Sequence, residues 1–190
     1  HCFYTIAGQK MSKSLGNVIS PEQLITKFGV DGTRYLVASS FPGKNDADIS
    51  LEKFQEKYNA DLANGLGNLI SRIAKLAARE KLNLDVKQKK EFFPVVSKHI
   101  EALEIPEALF EIWNEKTKGV YAINKFFNEN KVWEKKGWEL KKSLETTTTL
   151  LLNISYNIRP FMPETADKIE SIFQTNKLIK TPKTPFFPRL

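Results

Sequence analysis

The sequence has few of the residues that build cross-links and metal sites. It contains one cysteine, Cys2, and two histidines, His1 and His99. A single cysteine excludes an internal disulfide and a thiolate zinc site, and two histidines this far apart do not have the spacing of metal ligands or of a catalytic dyad. We therefore expect no metal site in these residues and a reducing compartment, the cytoplasm.

Long apolar runs are also missing. The longest run lies around residues 150–152, whereas a membrane-spanning helix needs about 20 apolar residues. The first residues do not form a charged segment followed by an apolar one, as a secretion signal would. The sequence thus predicts no membrane segment. Because the chain starts at His1 and not at methionine, we expect an upstream part in the full-length protein.

Basic residues exceed acidic ones, with 29 Lys and Arg against 22 Asp and Glu, for a formal net charge of +7. An excess of this size favours an anionic partner such as nucleic acid, although ordinary solubilising charge explains it equally well. The length of 190 residues is enough for one core with a smaller appended piece.

The larger part of the chain predicts helices, because apolar residues recur there at spacings of three and four. Four such helices are expected, over 50–76, 106–127, 138–158 and 163–174. The first has Ser50 as its N-cap and an apolar stripe made of Phe54, Tyr58, Leu62, Leu66, Leu69, Ile70, Ile73 and Leu76.

Glycines interrupt this pattern. Gly65 and Gly67 lie in the first helix, where they indicate close packing with a neighbouring helix or a small kink, and Gly119 lies inside the second. The lysine-rich stretch 83–93 is expected to be an exposed connection.

The two ends of the chain differ from its middle. Residues 3–6 are aromatic and β-branched and predict a short strand. Ser20, Pro21 and Gln23 predict a helix start with a capping box, Gly29 its end, and Asp31 the N-cap of a second short helix. At the other end, three prolines around Phe186 and Phe187 predict an extended strap that is docked by its aromatic side chains. The predicted fold is mainly α: an antiparallel helix bundle preceded by a small α/β piece.

The loop Lys10-Met11-Ser12-Lys13-Ser14 gathers two cations and two hydroxyls in five residues. Lysine is a compact point charge on a flexible stem, so two of them beside small hydroxyl residues suit a polyphosphate whose charge moves during reaction. By composition alone, a solvated surface loop is the simpler interpretation.

The sequence of this loop is the KMSKS signature, and the segment 15–19, Leu-Gly-Asn-Val-Ile, continues it as in proteins that carry this signature. The loop therefore resembles that of class I aminoacyl-tRNA synthetases. Leucyl, isoleucyl, valyl and cysteinyl enzymes share the loop and a helix bundle, but the asparagine-rich segments 58–64 and 66–72 resemble the methionyl-tRNA synthetase family. Segments 161–166 and 187–189 match that family as well, so the resemblance covers nearly the whole chain.

The resemblance implies three parts: residues 1–48 as the end of a catalytic domain, 49–175 as an anticodon-binding bundle and 176–190 as the strap. It implies activation of methionine with ATP, accompanied by magnesium, and then charging of tRNA(Met). Lys10 and Lys13 would be catalytic, and the whole loop from Lys10 through Met11, Ser12 and Lys13 to Ser14 would bind ATP. The HIGH tetrapeptide, the methionine pocket and any zinc site would belong to the upstream part, so we expect these residues alone to be inactive.

The resemblance also assigns anticodon recognition to Asn68, Arg72 and Trp133. Asn68 and Arg72 are four residues apart and share a helix face, which suits the edges of unstacked bases, and a tryptophan ring suits base stacking. The alternatives are a plain surface pair for Asn68 and Arg72, and core positions for Trp113, Trp133 and Trp138. The family usually has proline before this tryptophan, and this chain has Val132, which leaves the pose of Trp133 open.

Two other functions remain open from the sequence. The first is a synthetase for a different amino acid, and the second is a non-catalytic tRNA-binding protein derived from the synthetase body. Methionine-dependent charging separates the first from our assignment, and the upstream reading frame separates the second.

Overall fold

The structure is a computed structural model that describes residues 2–43, 45–114, 116–175 and 177–190. The expected start of the strap at Asn176 falls outside these residues. The described chain is mainly helical, with a three-stranded sheet near its beginning, which confirms the predicted fold class. No helix in the described part is long and apolar enough to cross a membrane.

The small sheet supports the lysine loop. Its strands are β1 (Tyr4–Ile6), β2 (Gln9–Lys10) and β3 (Ala47–Asp48), in the order β2-β1-β3. β1 pairs antiparallel with β2 and parallel with β3. Ala7 and Gly8 join β1 to β2 with φ values of 51° and 74°, the left-handed pair that a type I′ hairpin turn requires. The hairpin ends at Lys10, so the loop begins at the edge of the sheet.

Helix α1 (Pro21–Ser39) follows the loop. The predicted capping box is confirmed: the Ser20 hydroxyl accepts from Gln23 N, and the Gln23 side chain accepts from Ser20 N. The predicted interruption is also present, because Gly29 has φ 72° and ψ 170° within the helix. Such a φ suits glycine, which has no Cβ to clash with the backbone.

The prediction that Asp31 caps its own helix is wrong. Its Oδ2 atom accepts a 2.6 Å hydrogen bond from the backbone N–H of Thr165, in the first turn of α8 (Pro163–Ile172). A carboxylate at a helix N-terminus satisfies one of the N–H groups that lack an intrahelical partner. Asp31 therefore caps a helix that lies far away in sequence and ties the two ends of the chain together.

The long helix predicted from Ser50 is a continuous rod of three segments. These are α2 (Leu51–Lys57), a π-helical segment (Tyr58–Gly67) and α3 (Asn68–Arg79). The Ser50 hydroxyl caps the rod by accepting from Lys53 N, as predicted. All eight residues of the predicted apolar stripe are buried.

The two glycines of the rod lie against other parts of the core. A Cβ at Gly65 would be 3.7 Å from the indole nitrogen of Trp113, and one at Gly67 would be 3.5 Å from the Phe187 ring. Close packing with a neighbouring helix is thus confirmed at Gly65, whereas Gly67 packs against the C-terminal tail. The π-helical winding was not predicted.

The remaining helices are α4 (Pro94–Glu101), α5 (Ile105–Trp113), α6 (Val120–Glu129) and α7 (Gly137–Ile158). The single helix predicted over 106–127 is wrong, since α5 ends at Trp113 and α6 begins after Gly119. A side chain at Gly119 would collide with the carbonyl oxygen of Ile112, so the chain turns here at a position that only glycine fits.

The stretch 83–93 is less exposed than predicted. Leu84 and Val86 are buried, and the Gln88 side chain donates hydrogen bonds of 2.9 Å to the Leu152 carbonyl and to Glu170. In the tail, Phe187 is buried and packs edge-on against Tyr58, with ring centroids 5.9 Å apart.

Asp61, in the π-helical segment, joins the front of the chain to the bundle. Its carboxylate accepts from the Tyr35 hydroxyl of α1 at 2.7 Å and from the Tyr121 hydroxyl of α6 at 2.5 Å. Lys57 lies 3.0 Å away, and the Trp113 indole donates to the Asp61 carbonyl at 3.2 Å. Burial together with the Asp61 charge raises the pKa of both tyrosines, so they remain hydrogen-bond donors.

Candidate functional site

The lysine loop has an ordered turn. Residues Lys13–Leu15 form one turn of 3₁₀ helix, and Gly16 ends it with a φ of 67°. The backbone N–H of Ser12 donates to the Asn17 side chain at 2.8 Å, and the hydroxyls of Ser12 and Ser14 are hydrogen-bonded to each other at 2.8 Å. The two hydroxyls therefore bond within the loop, which fixes its shape.

The two lysines of the loop have different surroundings. The Lys10 ammonium lies over the Phe3 ring, 3.7 Å from its centroid, in a cation–π contact. The Lys13 side chain is exposed and forms no ion pair with another described residue. Lys13 is thus the cation with greater freedom to meet an incoming anion.

Asp48 braces the hairpin that carries the loop. Its carboxylate accepts from Gly8 N at 2.9 Å and from the Thr5 hydroxyl at 3.1 Å, and Lys53 lies 2.6 Å away. The Gly8 hydrogen bond and then the Lys53 ammonium hold the pKa of Asp48 at about 2. Asp48 is therefore a carboxylate in neutral solution, where all three contacts persist.

An apolar cleft of about 570 Å³ lies beside the loop. Met11 of the loop lines it, together with Tyr4 of β1, Leu24 and Val37 of α1, and Phe54 of the rod. The loop thus has an apolar wall on one side, and a charge near such a wall is screened less than one in open water.

A second cluster of predicted residues lies on the bundle. The Arg72 guanidinium is 5.4 Å from the centre of the Trp133 ring and 4.9 Å from that of Phe127, and it donates to the Asn128 side chain at 3.1 Å. Partial burial lowers the pKa of Arg72, but an arginine side chain stays charged in proteins. The structure therefore brings Arg72 and Trp133 together and holds the guanidinium in place.

Asn68 starts α3 and is exposed. It precedes Arg72 by four residues, so both side chains project from one face of the helix. Within the described chain, its side chain makes no hydrogen bond. The amide thus offers a donor and an acceptor at the surface.

The three tryptophans take different positions. Trp113 is buried at 3% exposure, whereas Trp133 is 42% exposed and Trp138 70%. Val132, the residue that departs from the family pattern, is fully buried and anchors the short 3₁₀ turn Val132–Glu134. The alternative of a core position is therefore wrong for Trp133 and Trp138.

Sequence reasoning missed the residues that support Arg72. The sequence predicted Phe127 only as the last residue of the helix over 106–127, and Asn128 lies just beyond that helix. Periodicity marks which side chains face inward, but it does not indicate that a ring and an amide from α6 meet an arginine of α3.

In the part of the chain that the structure describes, no three His, Cys, Asp or Glu side chains are grouped as metal ligands.

Comparison with known proteins gives consistent matches. Residues 1–74 match the family of tRNA synthetases class I (M). A methionine–tRNA ligase of Clostridium acetobutylicum is 34% identical over 90% of this chain and 29% of its own length. One from Thermotoga maritima is 31% identical over 89% of this chain and 29% of its own length. The chain thus spans less than a third of these relatives.

Solved structures show the same similarity. The methionyl-tRNA synthetase of Mycobacterium tuberculosis in complex with methionyl-adenylate superposes with a TM-score of 0.80 at 26% identity. The match covers 98% of this chain and 43% of that one. The similarity therefore includes the lysine loop and the bundle together.

Proposed function

Because this chain belongs to the class I tRNA synthetases of the methionine type, we propose that it supplies the C-terminal portion of a methionine–tRNA ligase. That enzyme activates methionine with ATP and charges tRNA(Met). The observation that carries the proposal is the presence, in one chain, of an ordered KMSKS loop and of an arginine held against an exposed tryptophan. The first suits a polyphosphate and the second suits unstacked bases.

In this proposal, the loop from Lys10 to Ser14 binds the phosphates of ATP. Lys13 is exposed and supplies positive charge where negative charge builds up on the departing pyrophosphate. Lys10 contributes once its ammonium leaves the Phe3 ring. Met11, Ser12 and Ser14 set the shape of the loop, and magnesium accompanies the ATP.

The bundle reads the anticodon. Asn68 and Arg72 present hydrogen-bonding groups on one helix face, and the exposed Trp133 ring offers a stacking surface. The contacts of Arg72 with Phe127 and Asn128 support this role, because a guanidinium that is already oriented loses less freedom when it binds a base.

Three consecutive segments of the chain have different proposed roles. Residues 1–48 complete the catalytic domain, 49–175 bind the anticodon and 176–190 strap the bundle. The 190 residues contain no His-Ile-Gly-His tetrapeptide, so the HIGH motif, the methionine pocket and any zinc site belong to other parts of the enzyme. The cytoplasm is the proposed location, since protein synthesis takes place there.

The relatives argue against a synthetase for another amino acid, because those compared are methionine–tRNA ligases. A non-catalytic tRNA-binding protein with this body is the remaining rival. It shares the anticodon site but has no use for Lys13, so adenylation by the full-length enzyme separates the two functions.

The proposal is tested by binding to anticodon stem-loops. The chain should prefer an RNA stem-loop with a CAU triplet over one with an altered triplet, and Arg72→Ala should lose this preference. Arg79→Ala is the matched control, because Arg79 is a surface arginine of the same helix that pairs with Glu80. If Arg72→Ala still distinguishes CAU as well as the parent chain does, the bundle is not the anticodon reader.

A further inference from the structure

The most exposed aromatic side chain described in this protein is Trp138, in the first turn of α7, with 70% of its surface accessible. A tryptophan that packs neither into the core nor under a loop leaves a large apolar area in water, which is unfavourable by itself. None of the roles proposed above uses it.

One cation lies against this ring. The Lys142 ammonium, one helical turn further along α7, is 4.7 Å from the centre of the Trp138 ring. This contact covers part of one face and orients the indole, while most of the ring remains open to solvent.

The segment around Trp138 is basic. Residues 131–142 contain five lysines, which are Lys131, Lys135, Lys136, Lys141 and Lys142, against two glutamates, Glu134 and Glu139. Lys131 and Lys141 lie 3.9 Å and 3.8 Å from Glu134 and Glu145, whereas Lys135, Lys136 and Lys142 form no ion pair with another described residue. These three lysines give the surface beside the ring a charge that suits a phosphate backbone, as in grooves that bind single-stranded nucleic acid.

Trp138 also follows Trp133, which lies against Arg72, by five residues along the chain. Lys135 and Lys136 join the two tryptophans as extended backbone, with ψ values of 155° and 167°. The five residue steps from Trp133 to Trp138 span at most about 18 Å. Lys135 of this linker packs against two helices: its ammonium donates a 3.2 Å hydrogen bond to the Ser143 hydroxyl of α7 and lies 6.0 Å from the Phe126 ring of α6.

We propose that Trp138 is a second stacking platform, which binds a nucleotide of the anticodon loop outside the triplet while the neighbouring lysines contact the phosphates. The inference rests on the proposed function, since it places an anticodon on the Arg72–Trp133 cluster. Stacking is tolerant of sequence because every base has a π face. Trp138 therefore contributes affinity for the loop and not discrimination of the triplet.

The test is binding of an RNA stem-loop with a CAU triplet to the chain and to three variants. Trp138→Ala should bind about 5- to 150-fold more weakly than the parent, the range expected for loss of one stacked base. Trp138→Phe should recover most of the affinity, because phenylalanine keeps a ring. Phe110→Ala is the matched control, an aromatic residue of α5 with 63% exposure, and should bind like the parent.

A second set of RNAs locates the stacked nucleotide. Each carries one abasic ribose at a loop position outside the triplet. At one position the missing base should weaken binding to the parent and leave binding to Trp138→Ala unchanged, whereas replacing that base by any other should have little effect. The Trp138→Ala variant should keep its preference for CAU.

Two outcomes overturn the inference while the proposed function stands: unchanged affinity of Trp138→Ala, or a Trp138→Phe variant that binds no better than Trp138→Ala, in both cases with the CAU preference intact. If the parent chain shows no preference for CAU, the proposed function fails and the inference fails with it.

Discussion

The backbone N–H of Gly8 donates a 2.9 Å hydrogen bond to the carboxylate of Asp48, which lies 40 residues further along the chain. Gly8 is in the tight turn between β1 and β2, and the lysine loop starts where β2 ends. A carboxylate on the parallel neighbour strand thus fixes the turn from which the loop extends.

This contact predicts the pH range over which the hairpin is braced. Since folding lowers the pKa of Asp48 from its usual value to about 2, its contribution is complete above pH 4 and is lost as the pH falls through about 2. The Gly8 amide resonance should therefore stay constant from pH 7 to about pH 4 and shift below it. In Asp48→Asn this shift should be absent, and a Gly8 shift centred near pH 4 in the parent would contradict the bracing role.

Replacing the two lysines of the loop should slow adenylate formation by unequal amounts. In the full-length enzyme, Lys13→Ala should slow adenylate formation by about 100- to 1000-fold, or about 2.7 to 4 kcal/mol, with little effect on the binding of methionine or tRNA. Lys10→Ala should cost less, because the Lys10 ammonium is held over Phe3.

Single-turnover adenylation measures both effects, with Lys183→Ala in the tail as the control for loss of a surface charge. A Lys13→Ala rate within about threefold of the parent would assign the loop a structural role.

The 190 residues alone should not activate methionine. Two lysines cannot orient ATP against an amino acid whose pocket is elsewhere, and positioning supplies a large share of the barrier reduction. Methionine-dependent exchange of pyrophosphate into ATP should stay at background for the purified chain. Exchange near the rate of the full-length enzyme would show that the active site is complete here.

Trp133 and Trp113 predict opposite phenotypes. Trp133→Ala should fold normally, since the ring is exposed, and should weaken binding of the anticodon stem-loop by about 1 to 3 kcal/mol. Trp113→Ala should lower the free energy of unfolding by about 3 to 5 kcal/mol, because that ring is buried. Thermal unfolding and RNA titration of both variants provide the comparison. Loss of folding in Trp133→Ala would assign this residue to the core.

Asp61 predicts a stability effect. Asp61→Ala leaves the hydroxyl of the buried Tyr35 without its acceptor, which costs about 1 to 3 kcal/mol. It also removes the acceptor of the Tyr121 hydroxyl, which water can replace because Tyr121 is 39% exposed. Asp167→Ala is the control, because this carboxylate pairs with Arg159 at the surface and such pairs contribute about 0 to 1 kcal/mol. Urea unfolding should separate the two variants, and equal stability would mean that Asp61 does not hold the joint together.

The sequence allowed most of the helices, two of their caps and the buried face of the rod to be predicted, because these depend on local pattern. Ser20 and Ser50 cap the helices that their neighbours indicated. The break at Gly119 was missed because Trp113 and Val120 are seven residues apart, close to two helical turns, so the apolar pattern resumes in phase after the polar residues between them. The collision that excludes a side chain at Gly119 involves the Ile112 carbonyl, whose position depends on the folded chain.

The candidate site was likewise predicted only in part from the sequence. The family motif identified the lysine loop, Asn68, Arg72 and Trp133 as candidates, but not the contacts that orient them. Asp31 illustrates why: it was expected to cap its own helix, and it bonds Thr165 instead, 134 residues away. Partners so distant along the chain leave no local pattern.

The π-helical segment sets the direction in which the proposed base-reading face points. Its i→i+5 hydrogen bonds hold more residues per turn than an α-helix does, so Asn68 and Arg72 point in a direction that an uninterrupted α-helix from Ser50 would not give them. Each residue of an α-helix turns the chain by about 100°, and removing one residue between Tyr58 and Gly67 would therefore swing this face away from Trp133. The lysine loop and its hairpin lie outside this segment, so such a deletion would alter the proposed choice of RNA more directly than the proposed chemistry with ATP.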